Sequence, residues 1–466
     1  MTRVLPPQPD LDHLKNEAKS LHKSHAQRET DVCQLLRHLH RFAGVSDEEI
    51  LSAEVSRTDV QFALAMDYGF DSWQAMRRTV LGAKTANTRA ANARMGDSRI
   101  NLLPWREELR EQRKKGNVNL KQASRTMLGL DISSTSIKLL ELSKTDSTYH
   151  VESFGVELLP AEAVEEKNIS DVEVVGEAIG RLVQRCGTEV TDVAVAVAGS
   201  GVITKTIEMR ADMSEDEREH QIVKDADAYL PLPLNEVGLD FEVKRMSRRS
   251  KESVEVLLAA CRREFIDMRV AALEIGGLNA RVVDIEAHCM QRACQLIHEQ
   301  LGSDEIVAIV DVGATMTTLS VLAGSFTPFN REQLFGGKQL TDEIQRRYGR
   351  TFEDSELAKK RGGLPDDYEE EVLRPFKEAV AQQVQRALQV FYASSDYTAV
   401  DRIVLTGGSA SIQGMVDLVA AKVGAATICA NPIAGMELSP QIDGTALEDY
   451  APALMMVCGL AMRSFD

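Results

Sequence analysis

Three short stretches of this chain carry residues whose types and spacing suit phosphate and metal chemistry. In Leu128–Leu142, the residues Leu128, Leu130 and Ile132 alternate with smaller or polar ones, and Ile137, Leu139, Leu140 and Leu142 form a second apolar run. Between the runs stand Ser133, Ser134, Thr135 and Ser136. Two strands about a short polar turn read as a β-hairpin. Successive backbone N–H groups in such a turn make a concave anion site, and hydroxyls add donors. Asp131, ending the first strand, suits Mg²⁺ held through water, because Mg²⁺ takes oxygen ligands and keeps several waters. Lys138 is close enough in sequence to reach a phosphate, and on a strand it can equally face elsewhere. An ordinary hydroxyl-rich hairpin has the same pattern.

The grammar then recurs. Ile306–Leu322 repeats strand, Asp, small or hydroxyl turn and strand, with Asp311 in the place of Asp131 and Gly313, Ala314 and Thr315 in the turn. A duplicated hairpin suggests two related lobes facing across a cleft. In Ile403–Gly414 an apolar strand runs into Gly407, Gly408 and Ser409 and then a helix, where backbone can approach a nucleotide closely.

In this order, the three elements resemble the actin, sugar kinase and heat-shock ATPase superfamily. The blocks Gly129–Leu142, Ala194–Ser200 with Val202–Met209, Leu257–Arg262, Gln333–Gly337 with Ile344–Tyr348, and Gly362–Asp367 narrow the resemblance to the PilM family of type IV pilus assembly proteins. It spans about residues 127–466. The resemblance implies an α/β, actin-like ATPase fold of two lobes with an inserted FtsA-type 1C subdomain at about 204–283. It implies ATP and Mg²⁺, with Asp131 and Asp311 as metal ligands. The hydroxyls and backbone of both turns would hold phosphates, and Gly407, Gly408 and Ser409 would stand close to the nucleotide. It places Gly336, Gly337, Lys338 and Glu343 where the superfamily contacts base and ribose, although Lys338 and Glu343 can equally be helix-surface charges. No residue dedicated to activating water stands out; Glu286 is a weak candidate. No sugar-recognition signature is present. An ATP-binding scaffold is the leading expectation. A slow Mg²⁺-dependent ATPase and a filament-forming protein are the alternatives.

Ahead of this domain, Ile100, Asn101, Leu102, Leu103, Pro104, Trp105 and Arg106 resemble the cytoplasmic N-terminal tail of PilN, which in that family inserts between subdomains 1A and 1C of PilM. Pro104 requires Ile100–Leu103 to be extended. No transmembrane helix follows; the basic run Arg113–Lys115 leads instead to Gly116 and the actin-like domain. The chain therefore reads as a tail fused to its own receptor, docking in cis or on a neighbour, where it would drive self-association. The expected organisation is a small helical unit over 1–82, linkers at 83–99 and 116–126, the tail at 100–115 and the actin-like domain at 127–466.

Helical spacing marks Leu11–Leu21, Val32–Phe42 and Asp59–Tyr68, with Asp47 and Ser72 as caps for two shorter helices. Val60–Trp73 resembles small helical leaders found ahead of ankyrin-repeat proteins. His22, His25, His38 and His40 read as solvated helix-surface residues rather than metal ligands. Farther on, helices are expected over Glu215–Tyr229, His288–Leu301, Lys338–Tyr348, Glu370–Ser394 and Ala451–Met462.

A net charge of -17 argues against general nucleic-acid binding. Seven cysteines without a CxxC read as reduced thiols, and Cys289 and Cys294 lack partners for a metal site. No apolar run reaches membrane-span length and the first residues are not a signal peptide. The expected location is cytoplasmic, at the inner face of the inner membrane through PilN and the pilus platform.

Overall fold

The computed structural model describes residues 11–42, 44–53, 55, 57–70, 73, 76, 100–102, 126–146, 148–160, 162–198, 201–247, 250, 252–297, 301, 305–323 and 326–466. The chain divides into two units, Met1–Met95 and Gly96–Asp466.

The first unit is helical. Its long helices, Leu11–Ala26 and Arg57–Asp67, enclose a core with Ala18, Val32, Leu36, Phe42, Ile50, Val60 and Leu64. Two of its details differ from expectation. The helix Asp47–Ser52 is capped by Ser46, not Asp47; the Ser46 hydroxyl and Glu49 carboxylate close a reciprocal capping box. The run Val32–Phe42 is a chain of short turns, Thr30–Val32, Cys33–Leu36 and His40–Phe42, rather than one helix. His25 is buried, its ring nitrogen 2.9 Å from the Ile50 carbonyl, so it serves packing rather than solvation. Ser72 lies outside the described residues.

In the second unit the first lobe is built on a six-stranded sheet. Its strands are β1 (Leu128–Ile132), β2 (Ser136–Thr145), β3 (Thr148–Leu158), β6 (Asp192–Val197), β10 (Asn279–Ile285) and β16 (Glu437–Leu438), in the order β10-β6-β1-β2-β3-β16. A minor hairpin, β4 (Val164–Glu165) and β5 (Asn168–Ile169), sits beside it. The β1–β2 register opposes Asp131 to Lys138, leaving Ser133–Thr135 as the turn. Helices Val172–Cys186 and Arg263–Ile275 cover one face, burying Val175, Ile179, Ile266 and Leu273. The C-terminal helix Met455–Ala461 covers the other, where Gly129 permits contact: a Cβ there would lie 2.4 Å from the Val457 carbonyl.

Three antiparallel strands, β7 (Val202–Arg210), β8 (Val237–Met246) and β9 (Ser253–Arg262), form a separate sheet in the order β7-β9-β8. This is the inserted subdomain. Its sheet ends at Arg262, short of the expected 283, because Arg263–Ile275 and β10 join the first-lobe core. The helix expected over Glu215–Tyr229 is interrupted at Asp225, giving Glu215–Lys224 and Ala226–Tyr229.

The second lobe repeats the plan on five strands, β11 (Ile306–Val312), β12 (Thr317–Ala323), β13 (Phe326–Gln333), β14 (Arg402–Thr406) and β15 (Ala426–Cys429), ordered β13-β12-β11-β14-β15. The helix Arg374–Ser394 packs Phe376, Val380, Val384 and Phe391 against it and starts later than expected, after a wider turn over Glu369–Leu373. The crossing helix is shorter than expected, Glu286–Ala293. No helix among the described residues is long and apolar enough to cross a membrane.

Candidate functional site

The two Asp-bearing turns meet. The Ser134 hydroxyl lies 2.7 Å from that of Thr315, joining first-lobe and second-lobe turns. Ser133 closes its own turn, donating N–H and hydroxyl to the Ser136 carbonyl at 3.0 and 2.8 Å. Lys138 does point into the site: its ammonium donates to Asp131 at 2.8 Å and to the Ser133 hydroxyl at 3.3 Å.

On the other side, three backbone segments pack into one cradle. The Gly337 N–H donates to the Gly313 carbonyl at 2.9 Å, Lys338 N–H to Ala314 at 2.7 Å, and Ser409 N–H to Val312 at 3.2 Å. The contacts demand glycine. A Cβ on Gly336 would lie 2.5 Å from the Gly313 carbonyl oxygen. One on Gly407, whose φ is +89°, would lie 2.5 Å from the Asp311 carboxylate. Gly408 faces open space. Thus Gly313, Ala314, Gly336, Gly337, Gly407 and Ser409 converge. Lys338 and Glu343 instead lie on the helix surface, paired with Asp342 at 3.3 Å and Arg346 at 2.5 Å.

The structure adds a residue that sequence reading missed. Lys167 sits in the tight turn between β4 and β5, where Glu166 and Lys167 both take positive φ, 45° and 67°. Such conformations are unfavourable for residues with a side chain and persist where surroundings enforce them. Here the buried Arg269 does so, donating to the Lys167 carbonyl at 2.7 Å and to that of Ala196 at 2.8 Å. The Lys167 ammonium reaches Glu286 at 2.5 Å, Thr318 at 3.1 Å and Glu332 at 3.6 Å, and so spans both lobes. Burial by itself would lower its pKa, but Glu286, Asp311 and Glu332 outweigh burial and hold it above the usual value. Only the paired positive-φ turn, formed by ordinary residues, marks it, and that is invisible in sequence.

Asp311 is partly buried, and its desolvation pushes its pKa up to about 6; Lys167 opposes the rise, while Glu286 and Asp131 add to it. Asp131, Asp311, Glu286 and Glu332 therefore crowd two ammonium groups, leaving an excess of carboxylate oxygen. That donor set fits a hard divalent cation held by two carboxylates, waters and phosphate oxygens. No group of three or more metal-ligating side chains stands ready among the described residues, so the protein alone does not complete a cage.

A second feature lies on the outer strand of the first-lobe sheet. Leu102 N–H donates to the Val283 carbonyl at 2.9 Å, and Val283 N–H to the Asn101 side-chain oxygen at 3.0 Å. The Asn101 amide donates to Arg281 at 2.9 Å, and its backbone N–H to Asp240 of β8 at 2.7 Å. Arg463 donates to the Ile100 carbonyl at 3.2 Å. Ile100 and Leu102 are fully buried. Gly238 of β8 admits the segment, since a Cβ there would lie 2.6 Å from the Leu102 carbonyl oxygen. Leu103, Pro104, Trp105 and Arg106 lie outside the described residues.

Two lobes with duplicated Asp-bearing hairpins facing one another, and a small sheet inserted in the first, define an actin-like fold. A family model described as type IV pilus assembly protein PilM matches residues 129–465, and the chain belongs to that family. A solved structure described as the PilM-PilN type IV pilus biogenesis complex is similar over 73% of this chain and 99% of that chain, at 24% identity and a TM-score of 0.62. Ethanolamine utilization protein EutJ from Carboxydothermus hydrogenoformans matches over 78% of this chain and 98% of its own, at 15% identity and a TM-score of 0.43.

Proposed function

We propose that this chain is a nucleotide-binding scaffold of type IV pilus assembly whose peptide groove is filled by its own segment. The observation that carries this is the seating of Ile100–Leu102 between β10 and β8, with five hydrogen bonds and two buried side chains. One backbone bond, Leu102 N–H to the Val283 carbonyl, sets the segment beside β10, and the other four bonds each use a side chain, so side-chain fit supplies specificity alongside main-chain contact. A PilN-type tail is the external ligand that such a groove would take, linking the protein to the inner-membrane platform from the cytoplasm. The tethered copy competes at high effective concentration.

In the cleft, Mg²⁺-ATP would lie between the turns, with Asp131 and Asp311 toward the metal. Backbone N–H groups and hydroxyls of Ser134–Ser136, Ala314 and Thr315 would face phosphate, with Lys138, while Ser133 and the Gly313 N–H close their own turns. Gly336, Gly337, Lys338, Glu343, Gly407, Gly408 and Ser409 would line the nucleoside side. The contact of Glu286 with Lys167 favours binding over turnover, because a carboxylate neutralised by an ammonium is a poor base toward water.

The test is calorimetric titration of a peptide of residues 100–106, with and without Mg²⁺-ATP. The Ile100→Asp/Leu102→Asp variant should bind it one-to-one, and the unaltered chain should not. Equal binding to both would reject self-occupation; absence of binding to the variant would reject the groove. Asp131→Asn should abolish retention of ATP in equilibrium dialysis.

A further inference from the structure

An opening at the edge of the second lobe has no part in the reading above. It lies between β13, the outer strand of the second-lobe sheet, and the helix Arg374–Ser394, and has a volume of about 630 Å³. Along the helix, Gln383, Arg386, Gln389, Val390 and Ala393 fall on one stripe and form one wall. Arg331, Gln333, Leu334 and Phe335, at the end of β13 and just beyond it, form the other. Among the described residues β13 is paired only with β12, so its far edge offers unpaired backbone donors and acceptors. Two apolar side chains are left out of the core here, Leu334 at 65% and Val390 at 39% exposure.

Charge identifies the occupant. Arg331 and Arg386 are exposed, and neither has an ion-pair partner among the described residues. Elsewhere on this acidic chain exposed arginines such as Arg210, Arg245, Arg346 and Arg347 each reach a carboxylate. The remaining polar lining is amide, with no carboxylate. The opening of similar size in the inserted subdomain differs: Glu208, Glu217 and Asp225 face Arg210 and Lys224, so it has no preferred sign. The two longest of the chain's own segments outside the described residues have the wrong sign for the β13 groove. Residues 103–125 hold seven Lys and Arg against three Glu, and residues 81–99 hold Lys84, Arg89, Arg94 and Arg99 against Asp97.

We propose that this groove is a docking site for an extended acidic peptide of another protein, which adds as a strand to β13. A carboxylate lies between Arg331 and Arg386, and a neighbouring apolar side chain covers Leu334 and Val390. A free sheet edge beside a helix is a recurring geometry for peptide capture, and guanidinium groups match carboxylates in bidentate fashion.

Random heptapeptides displayed on phage and panned against the full chain test this. The unaltered chain is expected to enrich peptides alternating apolar and acidic residues. Fluorescence anisotropy of an enriched peptide should show about a tenfold or greater loss of affinity on Arg331→Glu/Arg386→Glu. That variant should enrich basic peptides instead. Val390→Asp, at an exposed position, should weaken the same peptide, with an unchanged melting transition showing that the fold is intact. Absence of enrichment, or enriched peptides indifferent to both variants, overturns the proposal. Sedimentation showing self-association of the unaltered chain that the double variant abolishes would give the groove to a second copy, and overturns it also.

Discussion

The two Asp-bearing hairpins share one register and differ in the residue that opposes the aspartate. Asp131 is opposed by Lys138 across β1–β2, while Asp311 is opposed by Thr318 across β11–β12. The first carboxylate is therefore neutralised within its own hairpin at 2.8 Å. The second has a hydroxyl where the first has a cation, and that hydroxyl accepts from Lys167 of the other lobe. One hairpin is electrostatically complete; the other depends on the opposite lobe for its positive charge. Charge at Asp311 is thereby linked to the contact between the lobes.

The largest expected effect tests the cradle around the dependent hairpin. Gly407→Ala forces a left-handed residue and a clash with Asp311 and Val312, and should cost about 3–4 kcal/mol in urea denaturation. Gly408→Ala, one residue on but facing open space, should cost under about 1 kcal/mol.

Next, isosteric neutralisation of the two aspartates should act in opposite directions. Asp131→Asn leaves Lys138 buried without its partner and should destabilise by about 3 kcal/mol. Asp311 has a folded pKa of about 6 against an ordinary 3.8. Its folded form holds the proton more tightly, so its contribution is full below the unfolded pKa and is lost as pH rises through 6. Asp311→Asn should therefore stabilise the nucleotide-free, magnesium-free protein at pH 8 by about 3 kcal/mol and flatten the decline between about pH 4 and 7. Denaturation at pH 5 and pH 8 measures both; the same sign for the two variants at pH 8 would remove the asymmetry.

A smaller effect is expected in the groove. Asn101→Ala removes the side-chain bonds to Val283 and Arg281 but keeps Ile100 and Leu102 buried, and should cost about 1–2 kcal/mol, read as faster hydrogen exchange at Val283. The smallest concerns Lys338→Ala. Its pair with Asp342 is exposed, so stability should move by less than about 0.5 kcal/mol, and a loss of nucleotide affinity in dialysis would report contact directly.

Much of this was legible in the chain because it is local. Alternating apolar residues and hydroxyl turns mark both hairpins, and β1, β2, β11 and β12 lie where the pattern puts them. Gly407 reads as a place where backbone comes close to a nucleotide; the atoms the structure packs against it are the Asp311 carboxylate and the Val312 carbonyl. Helix ends were less legible. Ser46 rather than Asp47 caps its helix because the reciprocal bond with Glu49 needs the hydroxyl three residues ahead. The span Glu215–Tyr229 has a helical pattern throughout, yet breaks at Asp225.

The sequence by itself determined the duplicated hairpins and the family, since each depends on neighbours within a few residues or on matching blocks. Tertiary structure alone decided that Lys167 enters the cleft, that Gly238 admits the Leu102 backbone, and that Arg331 and Arg386 share a groove. Those relations join residues far apart in the chain through burial, Coulomb attraction and excluded volume. Such forces depend on distances in space, and spacing along the chain does not encode them.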